Sequence, residues 1–237
     1  MAKAIVSPLL EKGEYHPQNV LGIVGSSSSV ASALDGLPKE VKVVSSEDAS
    51  SGEVWKAPLK ILAVKPQQFN KIKESASSFQ SSNQFPKPLL ISVLAGITLK
   101  SLKKSFPEHT CVRAVPNTPS LVGQGLTGLA WENDITMDQK KVVRKIFEPI
   151  SEIYELEEQK LDSFLALTSS GPAYIALVVE AMADGAVAAG LPRYLSSQLS
   201  HKTLSGTASL LREKGLHPAE LKDMVASPGG TTISALR

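Results

Sequence analysis

The residues most suited to binding or catalysis lie near the end of the given sequence, in Ser227–Ile233. This segment reads Ser-Pro-Gly-Gly-Thr-Thr-Ile. The Pro-Gly-Gly turn exposes backbone N–H groups, and the hydroxyls of Ser227, Thr231 and Thr232 stand beside it, just before a predicted helix at 233–236. Backbone donors at the start of a helix favour an anion, and a carboxylate would suit. The residues alone also fit a glycine turn followed by a capped helix, so both interpretations stay open.

The first two-thirds of the chain alternate between predicted strands and predicted helices. Short apolar runs predict strands at 20–24, 41–44, 60–64, 89–94, 111–115 and 152–156. Apolar residues at helical spacing predict helices at 2–12, 67–77, 99–105 and 137–147. Continuous apolar strands that alternate with helices predict a parallel sheet covered on both faces, as in nucleotide-binding α/β domains.

After about Glu158 the pattern changes to helices alone, predicted at 161–167, 172–189, 192–213 and 218–225. The helix over 173–189 is apolar nearly all round and must therefore be buried on most sides. Because so short a segment can hardly cover it, we expect a partner subunit. The predicted organisation is an α/β domain over residues 1–158 and an all-helical domain over residues 159–237.

Composition excludes several function classes. The formal net charge of +2 is too small for a nucleic-acid binder. Cys111 is the only cysteine, and it lies in a predicted buried strand; the four histidines are scattered, so we predict no metal site. No run approaches the roughly 18 apolar residues that would span a bilayer. We therefore expect a soluble, cytoplasmic protein with no nucleic-acid or membrane partner.

The helical third of the chain resembles the pyrroline-5-carboxylate reductase family. The matching segments, in the family's order and spacing, are 166–174, 180–185, 190–193, 217–225 and 227–233. In the α/β part, 62–67, 91–97 and 113–123 resemble further family segments. The resemblance implies a Rossmann-like, mostly parallel sheet domain followed by an all-helical dimerisation domain. It also implies a homodimer through the helical domain that can assemble further.

This resemblance implies reduction of 1-pyrroline-5-carboxylate to L-proline by NAD(P)H, the last step of proline biosynthesis. The implied cofactor is NADPH, with NADH as the alternative because the serine loop at 26–28 carries no arginine. The cofactor would lie along the carboxyl edge of the sheet. The implied cofactor-binding residues are Ser26, Ser27, Asp48, Ala63, Val64, Lys65, Pro66, Val93, Leu94, Ala95 and Asn117.

The implied substrate is a five-membered imine carboxylate. The implied substrate-binding residues are Glu158, Ser227, Gly229, Gly230, Thr231 and Thr232. Thr232 matches a family threonine that hydrogen-bonds the ring nitrogen, and it is the expected catalytic residue, as an orienting partner rather than an acid. From the residues alone, Glu158 also fits a solvated linker position, and Asn117 a turn between two prolines.

One family motif has no counterpart in the sequence. The family begins with a strand and a glycine-rich turn of the form G-x-G-x-M-A, whereas this chain starts at Met1-Ala2 and carries no GxGxxG elsewhere. We expect an incomplete sequence rather than a shortened protein with weakened cofactor binding. The alternatives to the main interpretation are a related imine or ketone reductase of the same two-domain fold, and a non-catalytic paralogue that keeps the helical dimer.

Overall fold

A computed structural model describes residues 1–77 and 87–236, without the side chains of residues 49–51 and 77. The chain divides into two compact units, Met1–Pro172 and Ala173–Arg237. The domain boundary that the sequence predicts, after Glu158, falls inside the first unit and stays a prediction.

The first unit contains two sheets. Strands β1 (Leu21–Val24) and β2 (Lys42–Ser45) form a parallel pair. The second sheet has the order β3-β4-β5-β6-β7, with bounds Leu59–Leu62, Leu89–Ser92, Thr110–Pro116, Gly125–Trp131 and Ser151–Glu155. Its neighbours are parallel except for β5 and β6, which run antiparallel. The prediction of a mostly parallel sheet is therefore confirmed, although β6 was not among the predicted strands.

Helices of the first unit are α1 to α6, with bounds Ala2–Glu11, Val30–Leu34, Phe69–Ser77, Leu99–Ser105, Met137–Phe147 and Leu161–Thr168. The start of α5 shows why such sequences become helices. The Thr136 hydroxyl accepts from the Gln139 N–H at 3.2 Å, and the Gln139 Oε1 accepts from the Thr136 N–H at 3.0 Å. This reciprocal capping box satisfies two N–H groups that a helix start leaves without partners.

Both faces of the larger sheet are covered, because successive side chains of a strand point to opposite faces. Ile91 of β4 and Val112 of β5 pack with α1 and α5 on one face. Leu90 and Cys111 pack on the other face with residues from α4 and with Trp55. All four strand residues are fully buried. Burial raises the pKa of the Cys111 thiol to about 12, so it stays neutral, in keeping with its predicted place in a buried strand.

Helices α7 to α10 make up the rest of the chain, with bounds Gly171–Ala188, Arg193–Lys214, Pro218–Val225 and Thr231–Ala235. Helix α7 leaves large apolar side chains exposed within the single chain, among them Tyr174 (61%), Leu177 (66%) and Val178 (48%). The sequence-based expectation that one chain hardly covers this helix agrees with these exposures.

Candidate functional site

A cavity of about 310 Å³ lies where β1 and β2 end. Its lining residues are Ser27, Val30, Val43, Val44, Ser45, Glu47 and Asp48. The structure thus brings together Ser27 and Asp48, two of the predicted cofactor-binding residues, at the carboxyl ends of a parallel strand pair. Open α/β sheets bind their ligands at this edge.

Hydrogen bonds hold the two loops of this cavity together. The Ser26 hydroxyl lies 3.0 Å from the hydroxyls of both Ser28 and Ser29. The Ser46 N–H donates to the Val24 carbonyl at 2.8 Å, and the Ser46 hydroxyl donates to the Gly25 carbonyl at 3.3 Å. The loop after β2 is therefore tied to Val24 and Gly25, directly before the serine cluster, which favours a preformed site.

Two further groups of predicted cofactor residues follow adjacent strands. Leu62 pairs with Ser92 in register, so Ala63–Pro66 after β3 and Val93–Ala95 after β4 leave the sheet side by side. Lys65 and Ala95 are exposed, whereas Leu94 is 1% exposed and packs in the core. A ligand at this edge can therefore meet Leu94 only through its backbone.

Asn117, directly after β5, has both ends of its side-chain amide engaged. Its Nδ2 donates to the Thr168 carbonyl at 2.9 Å, and its Oδ1 accepts from the Leu126 N–H at 2.9 Å. The residue is buried. Asn117 thus ties the end of α6 and the start of β6 to the end of β5, and its predicted contact with the cofactor stays a prediction.

Glu158 takes part in an ion-pair cluster around the buried Arg113. Its Oε1 accepts from the Leu99 N–H at 2.6 Å and lies 3.4 Å from Arg113 Nη1, while Arg113 Nη2 lies 2.7 Å from Asp162 Oδ1. The Arg113 side chain is only 3% exposed, so its charge depends on these two carboxylates. Glu158 therefore anchors the start of α4, which follows the loop carrying Val93–Ala95.

Sequence reasoning missed Arg113 and Glu47 as residues of interest. A charged residue in the middle of the apolar run 111–115 was the available signal for Arg113, since buried charges are paired. Glu47 stands directly beside Asp48 and lines the same cavity, but its spacing suggests no chemistry by itself.

The segment Ser227–Ile233 in the second unit forms the turn that the sequence predicts. Gly229 has φ +68°, a conformation that side chains disfavour, and a Cβ at Gly230 would lie 2.4 Å from Ser227 Oγ. Helix α10 begins at Thr231, two residues before its predicted start. Within the described chain, the hydroxyls of Ser227, Thr231 and Thr232 make no hydrogen bond, so they are open to a ligand.

His109 lies at the opposite edge of the sheet, just before β5. It is 9% exposed, packs against the rings of Trp55 and Phe106, and neither ring nitrogen has a hydrogen-bond partner. Burial lowers its pKa to about 4, with Lys60 and Lys87 contributing in the same direction. Over residues 1–77 and 87–236, no three His, Cys, Asp or Glu side chains are placed to hold a metal ion.

Comparison with known proteins places these features in context. Residues 158–237 match the family model described as pyrroline-5-carboxylate reductase dimerisation. A pyrroline-5-carboxylate reductase of Synechocystis sp. is 39% identical over 237 residues, which is 100% of this chain and 85% of the relative. The soybean (Glycine max) pyrroline-5-carboxylate reductase is 34% identical over 236 residues, covering 100% of this chain and 83% of the relative.

Solved structures agree with the sequence relatives. The crystal structure of Plasmodium falciparum pyrroline carboxylate reductase with NADP bound superposes with a TM-score of 0.83 at 27% identity. It covers 99% of this chain and 83% of that chain. The Rossmann-like sheet domain and the helical C-terminal segment therefore have counterparts over nearly the whole chain.

Proposed function

The chain belongs to the pyrroline-5-carboxylate reductase family, and we propose that it reduces 1-pyrroline-5-carboxylate to L-proline, the last step of proline biosynthesis. As a member of this family it is an NAD(P)-dependent oxidoreductase that acts on a CH–NH group. The observation that carries the proposal is 39% identity to a named reductase along the entire chain. The Ser227–Ile233 turn is the local feature that fits the substrate carboxylate.

Residues of the first unit would hold the nicotinamide cofactor. The adenosine half would occupy the cavity after β1 and β2, which Ser27 and Asp48 line, with Ser26 next to it in the serine loop. Ala63–Pro66 and Val93–Ala95 would line the nicotinamide end, because they follow adjacent strands at one edge. The cofactor, when bound, supplies the hydride. NADPH is the proposed donor and NADH the alternative.

Substrate binding is proposed for the second unit and for Glu158. The N–H groups of Gly229, Thr231 and Thr232 and the hydroxyls of Ser227 and Thr231 would hold the carboxylate, since those hydroxyls have no partner within the described chain. Gly230, whose N–H donates to the Ser227 carbonyl at 3.0 Å, would close the turn beside the carboxylate. Thr232 would hydrogen-bond the ring nitrogen and orient it. Hydride transfer requires the imine carbon to be held in place, so positioning accounts for much of the rate. The protonated imine is the better acceptor, and its proton would come from water.

We also propose how the chain self-associates and where in the cell it is located. The family model for dimerisation covers 158–237 and supports a homo-oligomer. We propose a homodimer built through the helical segment, because α7 exposes apolar side chains in the single chain. A cytoplasmic location is proposed by analogy with soluble biosynthetic relatives.

The test of the proposed function is substrate-dependent oxidation of NADPH and of NADH, followed at 340 nm. The chain is incubated with pyrroline-5-carboxylate, and L-proline is identified as the product. A matched reaction with an open-chain 2-oxo acid in place of the imine separates this activity from that of a ketone reductase. A folded, oligomeric protein that oxidises neither cofactor with the imine would contradict the proposal.

A further inference from the structure

The cavity after β1 and β2 is lined by negative rather than positive charge. Its lining contains the carboxylates Glu47 and Asp48, both exposed, and no lysine or arginine among the described residues. A ligand group placed in this cavity therefore meets serines, valines and two acidic residues, and no cationic side chain among the described lining residues.

Two lysines on neighbouring elements are engaged elsewhere. Lys3 Nζ donates to the carbonyls of Ser32 at 2.6 Å and Asp35 at 2.7 Å. Lys42 is the first residue of β2, and its Nζ is 3.6 Å from Glu53 Oε2. Neither lysine is placed as a counter-ion for an anion held by the serine loop.

The two nicotinamide cofactors differ at one group, the ribose 2′ position. NADPH carries a phosphate there, with a charge of about −1.5 to −2 at neutral pH, whereas NADH carries a hydroxyl. Rossmann domains accept the hydroxyl with an acidic side chain and the phosphate with an arginine. The serine hydroxyls can serve either group, but the carboxylates attract a hydroxyl donor and repel a phosphate.

We propose that Glu47 is a specificity-determining residue that prevents a strong preference for NADPH, so that the chain binds NADH at least comparably well. The inference rests on the proposed function, because it assigns the cavity to the adenosine ribose. Glu47 is the residue on which the proposal depends, because it lines the cavity and is exposed. Asp48 adds charge of the same sign.

Salt dependence of binding to the unmodified protein is the first test. NADP⁺ and NAD⁺ are titrated by calorimetry at low and high ionic strength, and the ratio of their Kd values is followed so that contacts common to both cancel. Since salt screens repulsion as well as attraction, the proposal expects NADP⁺ affinity relative to NAD⁺ to rise with salt by about threefold. A relative affinity that falls with salt would mean that a cation holds the phosphate, and would overturn the inference.

A charge-removal variant is the second test. Glu47→Gln keeps the shape and should raise NADP⁺ affinity relative to NAD⁺ by about threefold to tenfold at low salt. Glu40→Gln is the matched control, because it makes the same change at an exposed carboxylate two residues before β2 that does not line the cavity, and it should leave the ratio unchanged. An unchanged ratio in a folded Glu47→Gln protein would overturn the inference.

The two proposals fail in different ways. If both cofactors bind and the wild-type protein prefers NADP⁺ by about a hundredfold or more, the inference is wrong while the reductase function stands. If neither NAD⁺ nor NADP⁺ binds the folded chain at millimolar concentration, the cofactor site is wrong and both proposals fall.

Discussion

Thr232 is the residue on which the proposed chemistry is most directly testable. It lies in the first turn of α10, directly after the two glycines, half-buried, and its hydroxyl has no partner within the described chain. Gly229 is needed for this placement because the turn has a positive φ there, and a Cβ at Gly230 would require the Ser227 hydroxyl to move. The hydroxyl is therefore presented by a backbone that other residues would strain.

Thr232→Ala should lower kcat/KM for the imine by about tenfold or more, because one oriented hydrogen bond to the ring nitrogen is removed. Steady-state kinetics with varied concentrations of pyrroline-5-carboxylate measures this kcat/KM. Ser205→Ala is the control: it removes an exposed hydroxyl of α8 that bonds the Lys202 carbonyl, and it should have no effect. An unchanged kcat/KM for Thr232→Ala would remove Thr232 from the substrate site.

His109 makes the stability of the first unit depend on pH. Its pKa falls from 6.5 in the unfolded chain to about 4 in the buried aromatic pocket, so below pH 6.5 the unfolded state binds the extra proton. Stability is therefore lost as the pH falls from about 6.5 to about 4, and is fully present above pH 6.5. Between pH 7.5 and pH 4.5 the loss from this one group is about 2 kcal/mol.

Urea unfolding of the wild-type protein and of His109→Phe at these two pH values measures that loss. The variant should lose about 2 kcal/mol less than the wild type on acidification. The exposed His201 serves as the control through His201→Gln, which should follow the wild type. Equal losses for the wild type and His109→Phe would show that the imidazole is not held neutral by burial.

Between elements, Arg113 connects β5 to the start of α4 and to α6. Glu158 contacts Arg113 and the Leu99 N–H through one carboxylate oxygen, and Asp162 contacts the other guanidinium nitrogen. Replacing the buried cation leaves the carboxylate of Glu158, which is 29% exposed, without its counter-ion, and this loss is destabilising. Asp162 is 79% exposed, so its share of the cluster is screened by water.

Arg113→Met should therefore lower the free energy of unfolding by about 2 to 3 kcal/mol, and Asp162→Asn by less than about 1 kcal/mol. Chemical denaturation gives both values. The control Asp138→Asn removes an exposed i,i+3 pair with Lys141, and its effect should be within about 0.5 kcal/mol. If Arg113→Met were as mild as this control, the cluster would not anchor α4.

Strand β6 is the one described strand of the five-stranded sheet that the sequence did not predict. The other six strands were predicted within two residues at each end because each contains a continuous apolar or alternating run. In β6, Gly125, Thr127 and Gly128 interrupt the run, and the glycines are there because neighbours approach closely: a Cβ at Gly128 would lie 2.9 Å from Leu161 and Phe164. Its antiparallel pairing with β5 depends on long-range contacts that no local pattern reports.

The predicted site residues also fall into two groups, those whose placement follows from the strand pattern and those whose contacts are long-range. The serine loop and Asp48 do meet at one cavity, because parallel strands bring their following loops to one edge. The hydrogen bonds of Asn117 and Glu158 span 51 and 59 residues. Since such distant partners leave no trace in local spacing, the anchoring roles of these two residues became visible only in three dimensions.

At the scale of the whole molecule, the most prominent feature is the apolar face that α7 exposes in the single chain. Residues 158–188 are long and apolar enough to cross a membrane by length and composition alone, and 11% of the scored window is buried in one chain. This is weak evidence for a membrane span, because the core helix of a soluble protein meets the same criterion. The dimerisation match over 158–237 points to a second copy as the cover for this face.

Leu177→Glu should therefore reduce self-association and yield a lower molar mass in light scattering coupled to size-exclusion chromatography. Leu177 is 66% exposed, so a charge there is tolerated in one chain but not inside an apolar contact between copies. Met137→Glu is the control, since Met137 is equally exposed (65%) but lies in α5 of the first unit. An unchanged molar mass for Leu177→Glu would place the interface elsewhere.

Cys111 gives the molecule a built-in chemical reporter. It is the sole thiol of the chain, it is fully buried in the middle strand of the five-stranded sheet, and it is protonated at neutral pH. A thiol reagent reacts with the thiolate and so can label this protein only when that strand separates from its neighbours. The labelling rate therefore measures how often the first unit opens, with no background from any other position.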